Sequence, residues 1–254
     1  MKKIFYLITV FAFIQCTPKV DVKKEQKVLT SQEVKTSTIS FPSKDKLTIT
    51  ADIYTKDGNS KFILLCHQAG YSRGEYIETA PILVEKGFNV LAIDQRSGGQ
   101  VNNVINKTHA LAVSKDLDTD YLSAKQDILA AIDKAYELNQ NQPIYLVGSS
   151  YSAALVLLIA KDNEKVKAVA AFSPGEYLKG VEITPSLKGY HKNVFVTSSK
   201  KETKAVENLV SQIDSKYVTQ FKSQTKGIHG SRALWATTEG HQAYWKAFDD
   251  FLSK

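Results

Sequence analysis

The segment Val147-Gly148-Ser149-Ser150-Tyr151-Ser152-Ala153-Ala154 gathers three serine hydroxyls among mostly small residues. A serine hydroxyl is a weak nucleophile until a histidine takes its proton and a carboxylate orients that histidine. The chain has five histidines. His67 lies in Cys66-His67-Gln68-Ala69-Gly70, and His229 in Gly227-Ile228-His229-Gly230-Ser231. His109, His191 and His241 are the others. Between the serine-rich segment and His229 lie two acids of interest: Glu202, in Ser198-Ser199-Lys200-Lys201-Glu202, and Asp214. These residue types suit nucleophilic attack on an acyl carbon. Neither a zinc-type HExxH nor a phosphate-cradling GxxxxGK[ST] occurs, so no metal, nucleotide or other cofactor is expected.

Such groups need a frame. Leu47, Ile49, Ala51 and Ile53 alternate with polar residues, the period of a half-buried strand. Val34 to Phe41 is its expected antiparallel partner, joined through Pro42-Ser43-Lys44-Asp45. Phe62 to Cys66 is a continuous apolar run, as in a strand buried on both faces. Further strands are expected at Phe88–Ile93, Ile144–Val147, Val166–Phe172, Val194–Thr197 and, more weakly, Tyr217–Ser223. Helices are expected at Tyr76–Lys86, kinked or restarting at Pro81, at Tyr121–Leu138, Ala153–Ala160 and His241–Leu252. Alternating strands and helices predict an α/β fold with a mostly parallel sheet, covered on both faces. Functional groups then collect at the carboxyl ends of the strands. Ser150 sits where a strand turns into a helix. Gly148 and Ser152, two residues either side, leave room for a sharp turn that exposes its hydroxyl. Ser149 and Ser152 are the competitors.

Gly148-Ser149-Ser150-Tyr151-Ser152 resembles the G-x-S-x-G elbow of the α/β-hydrolase family, with Ser152 in place of the last glycine. His67-Gln68-Ala69-Gly70 with Ser72-Arg73-Gly74-Glu75 resembles the branch of dienelactone hydrolases and small serine esterases. The resemblance implies Ser150 as nucleophile, His229 as base and Glu202 as the acid, with Asp214 as the alternative acid. It implies backbone oxyanion donors at Gln68 or Ala69, together with Tyr151. It gives His67 a structural role beside that hole. Asp94-Gln95-Arg96-Ser97-Gly98-Gly99 resembles the family's structural D-x-R-G-x-G loop. The stretch 173–193 is too short for a large lid domain, so an open site is expected, lined by Tyr71, Tyr151 and Tyr177, with 97–120 covering one side. The expected activity is hydrolysis of small to medium carboxylic esters or lactones through an acyl-enzyme. A surface protein that keeps the fold but only binds a ligand or partner is the alternative, as is a peptidase or thioesterase using the same groups.

The first residues belong to a different task. Met1-Lys2-Lys3 precedes an apolar run, Ile4 to Ile14, too short to span a bilayer comfortably. The run ends at Gln15-Cys16 and resembles a lipoprotein signal peptide, which implies removal of residues 1–15 and a lipid on Cys16. An ordinary secretory signal and an uncleaved anchor are the other readings. All three predict a domain outside the cytoplasm; the first puts it on a bacterial membrane, on the periplasmic or surface side. Residues 16–33 read as a tether and 34–254 as the folded domain. The formal charge is +7, but Lys23, Lys24 and Lys27 lie in the tether and no basic stripe with interleaved aromatics follows, so nucleic acid is not an expected partner. Cys66 would be the lone remaining cysteine, a packing residue rather than half of a disulfide. A hydrophobic content of 43% suffices for a core of ordinary size.

Overall fold

A computed structural model describes residues 33–254 together with Met1 and Ile4. The expected leader apart from Met1 and Ile4, Cys16 and all but the last residue of the tether lie outside the described residues.

Strand β1 (Lys35–Pro42) pairs antiparallel with β2 (Thr48–Thr55), in register from Lys35 opposite Thr55 to Pro42 opposite Thr48. Then follow β3 (Lys61–Cys66), helix α1 (Thr79–Glu85) and β4 (Phe88–Ile93). A two-stranded ribbon, β5 (Gln100–Val101) and β6 (Val104–Ile105), leads into α2 (Lys107–Ser114) and α3 (Lys125–Leu138). Next come β7 (Ile144–Ser149), α4 (Tyr151–Ala160), β8 (Val166–Phe172), the single turn α5 (Ile183–Ser186) and β9 (Asn193–Ser198). Helix α6 (Thr203–Leu209), β10 (Val218–Lys222) and α7 (His241–Leu252) complete the chain.

The main sheet has eight strands in the order β1-β2-β4-β3-β7-β8-β9-β10. From β4 to β10 all neighbours run parallel. This is the α/β-hydrolase fold, with an opening antiparallel pair and no large lid among the described residues. Strand β3 shows why a two-faced strand is apolar throughout. Phe62, Leu64 and Cys66 enter the core on one face, with α3, α4 and α6. Ile63 and Leu65 enter the core on the other, under α1 and α7. Burial also pushes the Cys66 thiol pKa up, so it stays protonated and inert.

Three local expectations need correction. The first helix does not begin at Tyr76. A 3-10 turn covers Arg73–Tyr76, and α1 starts at Thr79. Pro81 therefore falls in the first helical turn, where a missing N–H costs no intrahelical bond, and no kink is needed. Helix α3 starts at Lys125 rather than Tyr121, because Asp120 takes the backbone N–H groups of Leu122 (2.8 Å) and Ser123 (3.0 Å) into a separate turn. The stretch 97–120 carries α2 as well as the ribbon. Asn106 caps that helix by accepting the N–H of His109 at 2.7 Å.

Candidate active site

Ser150 joins β7 to α4 with φ 58° and ψ −121°. A non-glycine residue in that region is strained by about 1–3 kcal/mol and persists only where its surroundings enforce it. Here β7 is buried along its whole length, and the Ser150 N–H donates to the Phe172 carbonyl at 2.8 Å. Gly148 is required by contact: a Cβ there would lie 2.6 Å from the Ser152 carbonyl oxygen and 2.7 Å from the Ala153 nitrogen. Ser152, where the elbow pattern has glycine, is fully buried; its hydroxyl donates to the His67 carbonyl and accepts from Gln95 Nε2 at 2.7 Å.

Ser150 Oγ lies 2.8 Å from His229 Nε2. His229 Nδ1 is hydrogen-bonded to Glu202 Oε1. The second Glu202 oxygen accepts from Ser199 Oγ (2.6 Å), Ser199 N–H (3.1 Å) and Ser173 Oγ (3.0 Å). Burial opposes the Glu202 charge, but hydrogen bonds from His229 and Ser199, the imidazole charge and the Ser173 bond outweigh it, lowering its pKa from 4.5 to about 2. The carboxylate therefore stays ionised at neutral pH. The His229 loop is fixed at its backbone too. The Gly230 N–H donates to Ser173 Oγ at 3.0 Å, and the Ser231 N–H to Ser149 Oγ at 2.9 Å. The side chains of His229 and Glu202 are 35% and 27% exposed, so the line of groups opens to solvent on the histidine side.

Asp214, the alternative acid, is not brought to this place. It precedes β10, at the opposite end of the strand from His229, and accepts from its neighbour Lys216. Ser149 Oγ donates to Glu75 at 2.8 Å, and His109 Nδ1 bonds the Arg96 carbonyl at 2.6 Å, so both are committed elsewhere.

His67 is fully buried, which lowers its pKa to about 4 and keeps it neutral. Its Nε2 accepts the Gln95 N–H at 3.0 Å, so Nδ1 carries the proton and donates to the Gln68 carbonyl at 2.8 Å. It acts as a brace for the turn. Of the two expected oxyanion donors in that turn, Gln68 is excluded: its N–H is taken by Glu75 Oε2 at 2.8 Å. The Ala69 and Tyr151 N–H groups are bonded to no other backbone group among the described residues. Tyr151 does not line the site with its ring, which is buried; its hydroxyl donates to the Ser97 carbonyl at 2.9 Å. Tyr121 covers that ring, stacked at 4.4 Å, and Tyr177 stands edge-on to the His229 ring at 6.4 Å. The Asp94 loop is structural. Asp94 binds Arg73 (2.7 Å), while Arg96 binds Asp127 (2.7 Å) and Asp45 (2.8 Å). An apolar groove between α1 and α7, lined by Ile82, Leu234 and Trp245, contains none of these groups.

Sequence reasoning missed Ser173, Ser231 and Glu75 as parts of this site. Ser173 had a readable signal: it follows β8, at the same carboxyl edge as the other segments. Glu75 and Ser231 stand in segments singled out for their neighbours, but their meeting is purely three-dimensional.

A nucleophile elbow, a histidine after the last strand and an acid after the strand before it, on this sheet, define the α/β-hydrolase class. The sequence profile of the serine aminopeptidase S33 family matches residues 58–230, and the chain belongs to that family of serine hydrolases. No protein of curated function matches the sequence. Solved structures share the fold at low identity. An esterase of Pyrococcus furiosus superposes with TM-score 0.66 at 16% identity, over 88% of this chain and 91% of that one. A dienelactone hydrolase of Anabaena variabilis gives TM-score 0.66 at 15% identity, over 87% and 97%. An acylaminoacyl peptidase of Pyrococcus horikoshii gives TM-score 0.63 at 13% identity, over 89% of this chain and 42% of that one.

Proposed function

We propose that the chain is a serine esterase cleaving small to medium carboxylic esters or lactones. The observation that carries this reading is the continuous hydrogen-bond line Ser150–His229–Glu202, with Oγ 2.8 Å from Nε2. Ser150 Oγ attacks the acyl carbon as its proton passes to His229 Nε2. Glu202 holds the Nδ1 proton and balances the imidazolium. The N–H groups of Ala69 and Tyr151 donate to the oxyanion that forms, where fixed donors act with most effect. The alcohol leaves with the proton from Nε2, giving an acyl-enzyme. Water then releases the acid by the same steps in reverse order. The short connection between β8 and β9 favours compact esters over long-chain lipids, and the esterase and dienelactone hydrolase likenesses agree with that class. No cofactor enters the scheme.

Peptide hydrolysis is the second reading, favoured by the description of the matched family. The two are separated by assaying p-nitrophenyl acetate and butyrate beside aminoacyl p-nitroanilides, with wild type and Ser150→Ala. Ester turnover lost in Ser150→Ala by on the order of 10⁶-fold supports the proposal. Anilide turnover alone moves the assignment to a peptidase. Silence on both, with no labelling by a serine-directed phosphonate, favours a protein that only binds.

We further propose that Cys16 carries a lipid and that the domain works on the outer side of a bacterial membrane, tethered by residues 16–33. Cys16→Ser should release the protein from the membrane fraction; unchanged fractionation would refute the anchor.

A further inference from the structure

Glu75 is a fully buried carboxylate that the mechanism above does not use. It sits in the 3-10 turn Arg73–Tyr76, yet its oxygens reach three separate loops of the site. Oε2 accepts the Gln68 N–H at 2.8 Å. Oε1 accepts Ser149 Oγ at 2.8 Å and Ser231 Oγ at 2.5 Å. Ser149 precedes the proposed nucleophile, Ser231 is two residues beyond the proposed base, and Gln68 precedes the proposed oxyanion donor Ala69. Side chains of the cluster pack directly against the Gly230 backbone: a Cβ on Gly230 would fall 2.4 Å from Gln68 Oε1 and 2.6 Å from Ser149 Oγ.

We infer that Glu75 is a positioning residue that fixes the nucleophile, the base and the oxyanion donor relative to one another. The inference rests on the catalytic reading proposed above. An ionised carboxylate only accepts, and here every partner is a donor. The His67–Gln68 peptide is held at both ends, its carbonyl by Ser152 Oγ and its N–H by Glu75. The next peptide is held by His67 Nδ1 on the Gln68 carbonyl, which fixes the plane that carries the Ala69 N–H. On the other side, Ser149 Oγ passes the constraint on: it donates to Glu75 and accepts the Ser231 N–H. A glutamine at this position presents an NH2 group to donors on one side, so either the oxyanion turn or the histidine loop loses its acceptor. Burial holds the Glu75 pKa above the ordinary carboxylate value, and the hydrogen bonds from Ser231, Gln68 and Ser149 and the Arg232 charge oppose that rise, so the charge depends on those partners being in place.

The test uses Glu75→Gln and, as a milder variant that keeps the carboxylate, Ser231→Ala. Ester kinetics, thermal melting and the low-field Nδ1 proton resonance of His229 are measured on the same samples. Displacement of reacting groups by about 1 Å costs on the order of a hundredfold, so Glu75→Gln should lower kcat by about tenfold to a hundredfold. Ser231→Ala should lower it by a smaller factor, with KM near the wild-type value in both. The His229 resonance should shift or broaden in Glu75→Gln. Folded variants with wild-type kcat and an unmoved resonance would overturn the inference and leave Glu75 a packing residue. Should wild type itself turn over no ester, the esterase reading fails, and the resonance alone decides: a shift in Glu75→Gln upholds the positioning role, and no shift overturns it.

Discussion

The hydroxyl of Ser152 donates to the backbone carbonyl of His67, joining the elbow after β7 to the turn after β3. The α/β-hydrolase elbow has glycine at this position. Here a hydroxyl turns the close approach of two loops into a hydrogen bond and also receives Gln95 Nε2 at 2.7 Å.

Ser152→Ala should therefore destabilise the domain rather than relax it. The His67 carbonyl loses its donor in a buried place, a cost of about 1–3 kcal/mol. Ester turnover should fall as well, since the same carbonyl belongs to the peptide before the proposed oxyanion donor. Denaturant melts with a kinetic assay check this. A variant as stable and active as wild type would show that the bond contributes nothing.

Ser150→Gly should be inactive yet more stable. The backbone at φ 58°, ψ −121° suits glycine, so the substitution relieves strain of about 1 kcal/mol or more, which outweighs the exposed side of the lost His229 hydrogen bond. Ser150→Ala keeps the strain and should show no such gain. Comparative thermal unfolding of the two variants decides the point; equal melting temperatures would argue that the elbow is unstrained.

Glu202 should carry part of the acid sensitivity. Its pKa falls from 4.5 to about 2 on folding, so the native state binds the proton more weakly than the unfolded chain. The stabilisation is complete above the unfolded value and is lost as pH drops from 4.5 towards about 2. The stability gap between wild type and Glu202→Gln should shrink across that window. Urea melts at several pH values measure it, and a gap independent of pH would refute the assignment.

Much of the frame was legible because burial on both faces leaves a strand no polar position. Phe88–Ile93 and Val166–Phe172 have the bounds their apolar runs suggest. Ser150 and His229 could be picked out because small residues and strand ends surround them in sequence. Helix α2 escaped notice because it buries only Thr108 and Ala112, too little for a helical period to show. Tyr121 to Ala124 misled in the opposite way: Ala124 is buried in phase with α3, but Asp120 captures the backbone before the helix begins. The choice between Gln68 and Ala69 could not be read from their own types. It turns on which N–H a distant glutamate reaches.

Ser150, Ser173, Glu202 and His229 follow β7, β8, β9 and β10, four adjacent parallel strands met in the same order along the chain. The imidazole thus arrives last, after the edge strand, and Tyr244 of α7 ties that helix to the end of the neighbouring strand β9 by donating to the Ser198 carbonyl at 2.9 Å. A nascent chain that has emerged only as far as β10 has its hydroxyl and its carboxylate but nothing to couple them. On the mechanism proposed above, the coupling group is made last, so an unfinished chain that ends before His229 would be silent in the compartment where it is made.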